Sequence, residues 1–268
     1  MNTLNISLVQ SPIIWEDIEA NQSMFAGKIS GIDIESEVVL LPEMFTTGFS
    51  MNAPALAEDM SGSTVRWMKK MAKESNKVIA GSMIALDRGK YYNRFIWMNP
   101  DGSFEFYDKK HLFRMANEDA SYSSGSNQLI IQYKGWKIRP LICYDLRFPV
   151  WSRNKNDRKG STLSPNYDVL LFVANWPEVR VSAWDVLLRA RAMENQAYCI
   201  GVNRIGTDGT GKDYIGHSAA IDPKGNYLIK PLHMTEGVYT VSLDKDSLEE
   251  YRSKFPQGLD ADDFKLTN

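Results

Sequence analysis

Cysteine is nearly absent: the chain has 2 in 268 residues, Cys143 and Cys199. One pair builds no disulfide framework, and no CxxC or His/Cys cluster has metal-ligand spacing, so no metal site is expected. Long apolar runs are missing as well, and nothing approaches the roughly 20 residues of a membrane span. The opening MNTLNISLVQSP has no basic stretch leading into an apolar one, so no secretory signal is expected. Neither sign of charge dominates. The net charge of −2 argues against a general nucleic-acid binder. Repeats, low-complexity tracts and linkers are also lacking. One domain over 1–268 is expected, with a core of about 4–243 and a C-terminal helix and tail at 244–268. These absences together suit the reducing cytoplasm. Apolar residues, at 43% against 24% charged, suffice for a large buried core.

Read in order, the chain begins β-α-β-α-β. Asn5–Gln10, Val38–Leu41 and Lys77–Ile84 are short apolar strands, and Trp15–Ile29 and Ser63–Ser75 carry apolar residues at helical spacing. The rhythm then changes to hairpins. Arg94–Asn99 and Phe104–Tyr107 flank Pro100-Asp101-Gly102, and Leu129–Tyr133 and Ile138–Cys143 flank Lys134-Gly135-Trp136. Between them, Lys109 to about Asn127 reads as a long polar loop, and Asn156–Asn166 as another. Strand Asp168–Ala174, helix Ser182–Gln196 and strand Tyr198–Asn203 restore the alternation, and the last strand makes Cys199 a small core residue. Hairpin strands close the chain before a terminal helix, Asp244–Phe255. Strands this apolar are buried on both faces, which favours two packed sheets with helices outside.

The polar residues that close the strands carry the chemistry. Glu43 follows VVLLP, Lys109 follows FEFYD, Cys143 follows IRPLI, and Asn175 follows DVLLFVA. Groups leaving the carboxyl ends of strands gather at one rim, where ligands bind. A cysteine, a lysine and a glutamate gathered there suit acyl transfer: thiolate nucleophile, oxyanion partner and proton carrier. Each also has a plainer reading, Cys143 as a core thiol and the two charges as solvated loop residues. Strand alternation puts Lys109 and Lys110 on opposite faces but does not say which face is the site.

Three segments, LPEMF at 41–45, YDKKHLF at 107–113 and CYDLRFP at 143–149, resemble in order the motifs of the nitrilase superfamily of carbon–nitrogen hydrolases. The resemblance runs from about Ile6 to the GHSAAIDPKGN segment near Asn226. It implies an α/β fold, a four-layer α-β-β-α sandwich, with Cys143 as nucleophile, Glu43 as proton carrier and Lys109 as the ammonium of the site. The motif lysine lies two places before the histidine, which selects Lys109 over Lys110. Glu118 in MANEDASY matches the family's second glutamate, and the backbone N–H of Tyr144 the second oxyanion donor.

LFRMANED, CYDLRFPVWSRN, VANWP and RAMENQAYCIGVNR are most similar to the ω-amidase branch, which removes ammonia from the ω-amide of small 2-oxo acids. That implies a small-molecule amide substrate, no cofactor, no nucleic-acid or membrane partner, and a homodimer. An arginine should take the substrate's far carboxylate. Arg114 and Arg147 are the candidates, with Trp176 as a further contact. Trp151 and Trp184 are placed either at a dimer seam or in the core. His111 and Asp145 are expected to hold turns rather than to react. An N-carbamoyl amidase or a deaminated-glutathione amidase would share the triad, and a non-catalytic interaction protein on the same fold has no need of it.

Overall fold

Alternation along the first strands decides the architecture. In a computed structural model, which describes residues 2–159 and 162–266, the chain runs β1 (Thr3–Gln10), α1 (Ile18–Ser30), β2 (Val38–Leu40), α2 (Ala53–Leu56), α3 (Ser63–Ser75), β3 (Val78–Asp87), β4 (Lys90–Met98) and β5 (Phe104–Asp108). It continues with α4 (Glu118–Ser121), β6 (Ile131–Tyr133), β7 (Trp136–Ile142), α5 (Pro149–Ser152), β8 (Asn156–Lys159), β9 (Thr162–Pro165), β10 (Val169–Ala174), α6 (Val181–Asn195) and β11 (Tyr198–Asn203). Strands β12 (Ile205–Thr207), β13 (Asp213–Ile221), β14 (Tyr227–His233) and β15 (Gly237–Asp244) precede α7 (Lys245–Lys254). The expected domain of 1–268 includes Met1, Gly160, Ser161, Thr267 and Asn268, which lie outside the described residues.

One sheet has the order β15-β1-β2-β3-β4-β5, and the other β12-β13-β11-β10-β7-β6 with β14 on β13. Leu4, Ile6, Leu8, Val38, Leu40, Phe95 and Trp97 turn towards the second sheet and join Ile138, Leu171 and Ile200 in one core. Their neighbours Val9, Val39, Leu41, Ile79, Ile96 and Met98 turn the other way, onto Phe25 and Ile29 of α1 and Val65 and Met68 of α3. Each such side chain, when fully buried, contributes ~1.5–3 kcal/mol. Helix α6 covers the second sheet. Its close approach needs Gly201, where a Cβ would stand 2.6 Å from Trp184 and 2.8 Å from Leu188. The result is the four-layer α-β-β-α sandwich.

Local geometry adds detail to this picture and corrects part of it. Ser61-Gly62-Ser63 opens α3, yet the cap comes from Glu58, whose carboxylate accepts the Thr64 N–H at 3.2 Å and the Ser63 hydroxyl at 2.6 Å. The polar stretch 156–166 contains paired strands, with Asn156 opposite Pro165, and its tip at Gly160 and Ser161 lies outside the described residues. The segment after Cys143 forms a 3-10 turn, Cys143–Arg147, and then the single turn of α5. Trp151 and Trp184 are core residues, 5% and 0% exposed, and are not available for a dimer seam. The indole N–H of Trp184 donates to the His217 carbonyl at 2.8 Å, and that of Trp151 to the Tyr107 hydroxyl at 3.0 Å.

Candidate active site

The site forms where the two sheets meet, at the carboxyl ends of β2, β5, β7 and β10. Glu43 leaves β2 through Leu41 and Pro42 and is fully buried. Its Oε1 accepts from Lys109 Nζ at 2.9 Å and from Asn93 Nδ2 at 2.7 Å, and its Oε2 accepts the Asn175 N–H at 2.8 Å. A relay steadies that arrangement: the Met44 N–H donates to Ser82 Oγ, and Ser82 Oγ to Asn93 Oδ1, both at 2.9 Å. Asn175 also clamps the glutamate's own carbonyl, donating from Nδ2 at 2.6 Å.

Lys109 follows the last residue of β5. Tyr107 and Lys109 turn inward, while Asp108 turns to the opposite side and pairs with Arg94 at 2.7 Å. Lys110 leaves the strand's alternation. Its ammonium lies over the Trp151 ring at 5.5 Å, and it stays outside the cavity that Lys109 lines. Glu118, at the start of α4, reaches Lys109 Nζ with Oε1 at 2.9 Å and Oε2 at 3.0 Å. The Phe113 N–H donates to its Oε2 at 2.5 Å. Far from being an exposed loop acid, Glu118 is completely buried. Burial alone would pull the Lys109 ammonium down, but the Glu118 and Glu43 carboxylates overcome it and hold the group protonated far into the alkaline range. Glu118 is itself pushed up by burial, with Lys109 opposing and Glu43 adding to the rise.

Cys143 begins the 3-10 turn with φ +42°, a conformation that costs a non-glycine residue about 1–3 kcal/mol. Asp145 holds it there. Its Oδ2 accepts the Ile142 N–H at 3.1 Å and the Tyr107 hydroxyl at 2.8 Å. Its Oδ1 accepts the His111 N–H at 3.0 Å and meets His111 Nδ1 at 2.7 Å. The His111 ring stacks on Phe148 with 3.7 Å between centroids. Both residues brace turns. Cys143 Sγ donates to the Asn175 carbonyl at 3.8 Å and neighbours the Glu43 carboxylate. Burial and then Glu43 push its thiol well up against the opposing pull of Lys109, so the resting group is a neutral thiol. Cys199 is a fully buried core residue of β11.

A family model described as carbon–nitrogen hydrolase matches residues 5–253. The chain belongs to the carbon–nitrogen hydrolases. It is 45% identical over 268 residues to omega-amidase YafV of Escherichia coli K12, covering 99% of this chain and all of that protein. It is 34% identical to 2-oxoglutaramate amidase of Bacillus subtilis, over 82% of this chain and 83% of the relative. Among solved structures, the CN-hydrolase superfamily protein XC1258 of Xanthomonas campestris, with an arsenic adduct in its active site, superposes with a TM-score of 0.96. That match has 42% identity and covers both chains completely. This chain is an ω-amidase-like enzyme of that superfamily.

In this carbon–nitrogen hydrolase the sulfur faces a cavity of about 90 Å³. Tyr144, Arg147 and Trp176 line it, with the Arg147 guanidinium 4.9 Å from the Trp176 ring centre. Arg114 does not line it. Its side chain is 84% exposed and pairs with Asp119 at 2.9 Å, because the 3-10 turn Arg114–Ala116 carries it outward. Sequence reasoning missed Phe49, Phe113, Arg180, Lys212 and Tyr214, which also line the wall, and Asn93 and Ser82 beneath it. A larger cleft of about 550 Å³, between Lys137, Glu194 and Arg252, contains neither cysteine. Among the described residues, no group of three or more His, Cys, Asp or Glu side chains is arranged to hold a metal, and no helix is long and apolar enough to cross a membrane.

Proposed function

We propose that this enzyme hydrolyses the terminal amide of small 2-oxo dicarboxylic acid monoamides, of the 2-oxoglutaramate or 2-oxosuccinamate type, through a cysteine thioester. The observation that carries the proposal is the Cys143 thiol beside a buried Lys109 bonded to both Glu43 and Glu118, at a narrow cavity whose wall includes Arg147. The names of the relatives, omega-amidase and 2-oxoglutaramate amidase, support the same substrate class.

Sulfur attacks the amide carbon as Glu43 takes the thiol proton. The oxyanion is held by Lys109 and by the Tyr144 backbone N–H. Glu118 positions the ammonium; a shared bond to its two oxygens and one bond to Glu43 leave a third N–H for the oxyanion. Glu43 then protonates departing ammonia and takes a proton from the water that opens the thioester, which restores the thiol and releases the acid. Arg147 meets the substrate carboxylate. We also propose a homodimer, supported by Val186 and Met193, which stand exposed one heptad apart along α6. Light scattering that reads a monomer at low micromolar concentration ends that part.

The functional test is product analysis on a panel of small amides, N-carbamoyl acids and nitriles. Ammonia and the dicarboxylic acid should appear from 2-oxoglutaramate far faster than products from the others. A preference for the carbamoyl acids, with release of CO2, would replace the proposal by an N-carbamoyl amidase.

A further inference from the structure

We propose that Arg180 selects the substrate by its far-end carboxylate, completing with Arg147 a clamp of two guanidinium groups. This rests on the reading of the site as one for carboxylate-bearing amides. The cavity wall contains Lys109, Arg147, Arg180 and Lys212, and no aspartate or glutamate. Lys109 is already held by Glu43 and Glu118, and the exposed Lys212 ammonium donates to Thr210 Oγ1 at 2.9 Å. Arg147 and Arg180 are different. Among the described residues neither guanidinium has a carboxylate partner, as Arg94, Arg114, Arg191 and Arg252 do, or a backbone carbonyl, as Arg139, Arg153, Arg189 and Arg204 do.

What Arg180 has instead is weak. Its guanidinium lies 5.3 Å from the Phe113 ring centre and donates to Met115 Sδ at 3.8 Å, a poor acceptor. Its backbone is fixed, because the Trp176 indole N–H donates to the Arg180 carbonyl at 2.7 Å. A donor fork on an anchored backbone, with its strong hydrogen-bonding capacity unspent, is suited to a planar carboxylate. Position separates the two arginines. Arg147 closes the 3-10 turn that Cys143 opens and packs on Trp176, so it forms the inner arm of the clamp. Arg180 ends the turn Glu178–Arg180 beyond Pro177, beside Met115, which is 77% exposed at the mouth. A substrate with its amide carbon at Cys143 extends its other end towards Arg180.

The experiment compares wild type with Arg180→Ala and Arg180→Lys on 2-oxoglutaramate and on an uncharged amide of equal length. It also measures protection of Cys143 from iodoacetamide by 2-oxoglutarate. Arg180→Ala should raise KM for the anionic amide by roughly 10- to 100-fold, the scale of a lost charged hydrogen bond, with a much smaller change in kcat. The loss on the uncharged amide should be at least about tenfold smaller, Arg180→Lys should recover part of it, and protection should weaken in parallel. Equal losses on both amides, unchanged kinetics, or protection that survives in Arg180→Ala would overturn the inference. If wild type fails to cleave 2-oxoglutaramate yet 2-oxoglutarate protects it in an Arg180-dependent way, the substrate assignment fails and the clamp stands. Turnover of 2-oxoglutaramate that ignores Arg180 has the opposite meaning.

Discussion

The Lys109 ammonium is the charge on which the buried part of the site depends. It is the cation paired with two carboxylates that are themselves fully buried, so removing it leaves both without their partner. Lys109→Ala should lower kcat by about 10²–10³-fold, as loss of an oxyanion donor does, and cost ~3–5 kcal/mol in urea unfolding. Lys110→Ala should stay within a few-fold in kcat and lose at most ~1 kcal/mol, since its contact is a partly exposed cation–π pair. The Cys143 thiol makes a pH prediction. Its pKa is raised on folding, so the unfolded chain releases this proton first as pH climbs. The stability it contributes is complete below the unfolded value of about 8.5 and is lost above it, at up to ~1.4 kcal/mol per pH unit. Unfolding titrations across that range should therefore show wild type falling more steeply than Cys143→Ala; parallel slopes would mean the folded thiol titrates normally. Glu43, Lys109 and Cys143 were legible because each follows a strand, where a polar residue breaks an apolar run. Asn93 was not, since it sits inside the apolar rhythm of β4 and becomes a partner of Glu43 only through the sheet register. Arg114 and Arg180 look alike as loop cations, and only the direction of their turns separates them.

At the level of elements, the nucleophile turn is held from outside itself. Asp145 takes bonds from Ile142, Tyr107 and His111, so three segments meet on one buried carboxylate. Asp145→Ala would leave those donors without acceptors, at roughly 1–3 kcal/mol each for those that stay dry. We expect a stability loss of several kcal/mol together with a drop in kcat, measured by urea unfolding and steady-state kinetics on the same preparation. A stable variant with wild-type kcat would show that the positive φ of Cys143 needs no brace. The apolar strands and the amphipathic α3 could be read from periodicity. The single turn α5 could not, because Phe148-Pro149-Val150-Trp151 has the opening signals of a longer helix and the chain then leaves as β8. Nor could α4, whose 4 residues inside a polar stretch are fixed by the Lys109–Glu118 pair.

At the scale of the molecule, neither sheet owns the site. Glu43 and Lys109 come from the sheet that contains β2 and β5, and Cys143 and Asn175 from the one that contains β7 and β10. One core joins the sheets, so activity and tryptophan fluorescence should be lost over the same urea range. Activity vanishing well before the fluorescence change would mean the site opens without the sandwich separating. The sandwich itself followed from apolar strands covered on both faces, whereas the pairing of its sheets across the site depends on contacts distant in sequence, such as Asn175 with Glu43. The central claim is that Cys143 carries the acyl group. Its most direct test is the rate of ammonia release from 2-oxoglutaramate by Cys143→Ala and Cys199→Ala. The account predicts no detectable turnover in the first and near wild-type turnover in the second; residual catalysis by Cys143→Ala comparable to Cys199→Ala would contradict it.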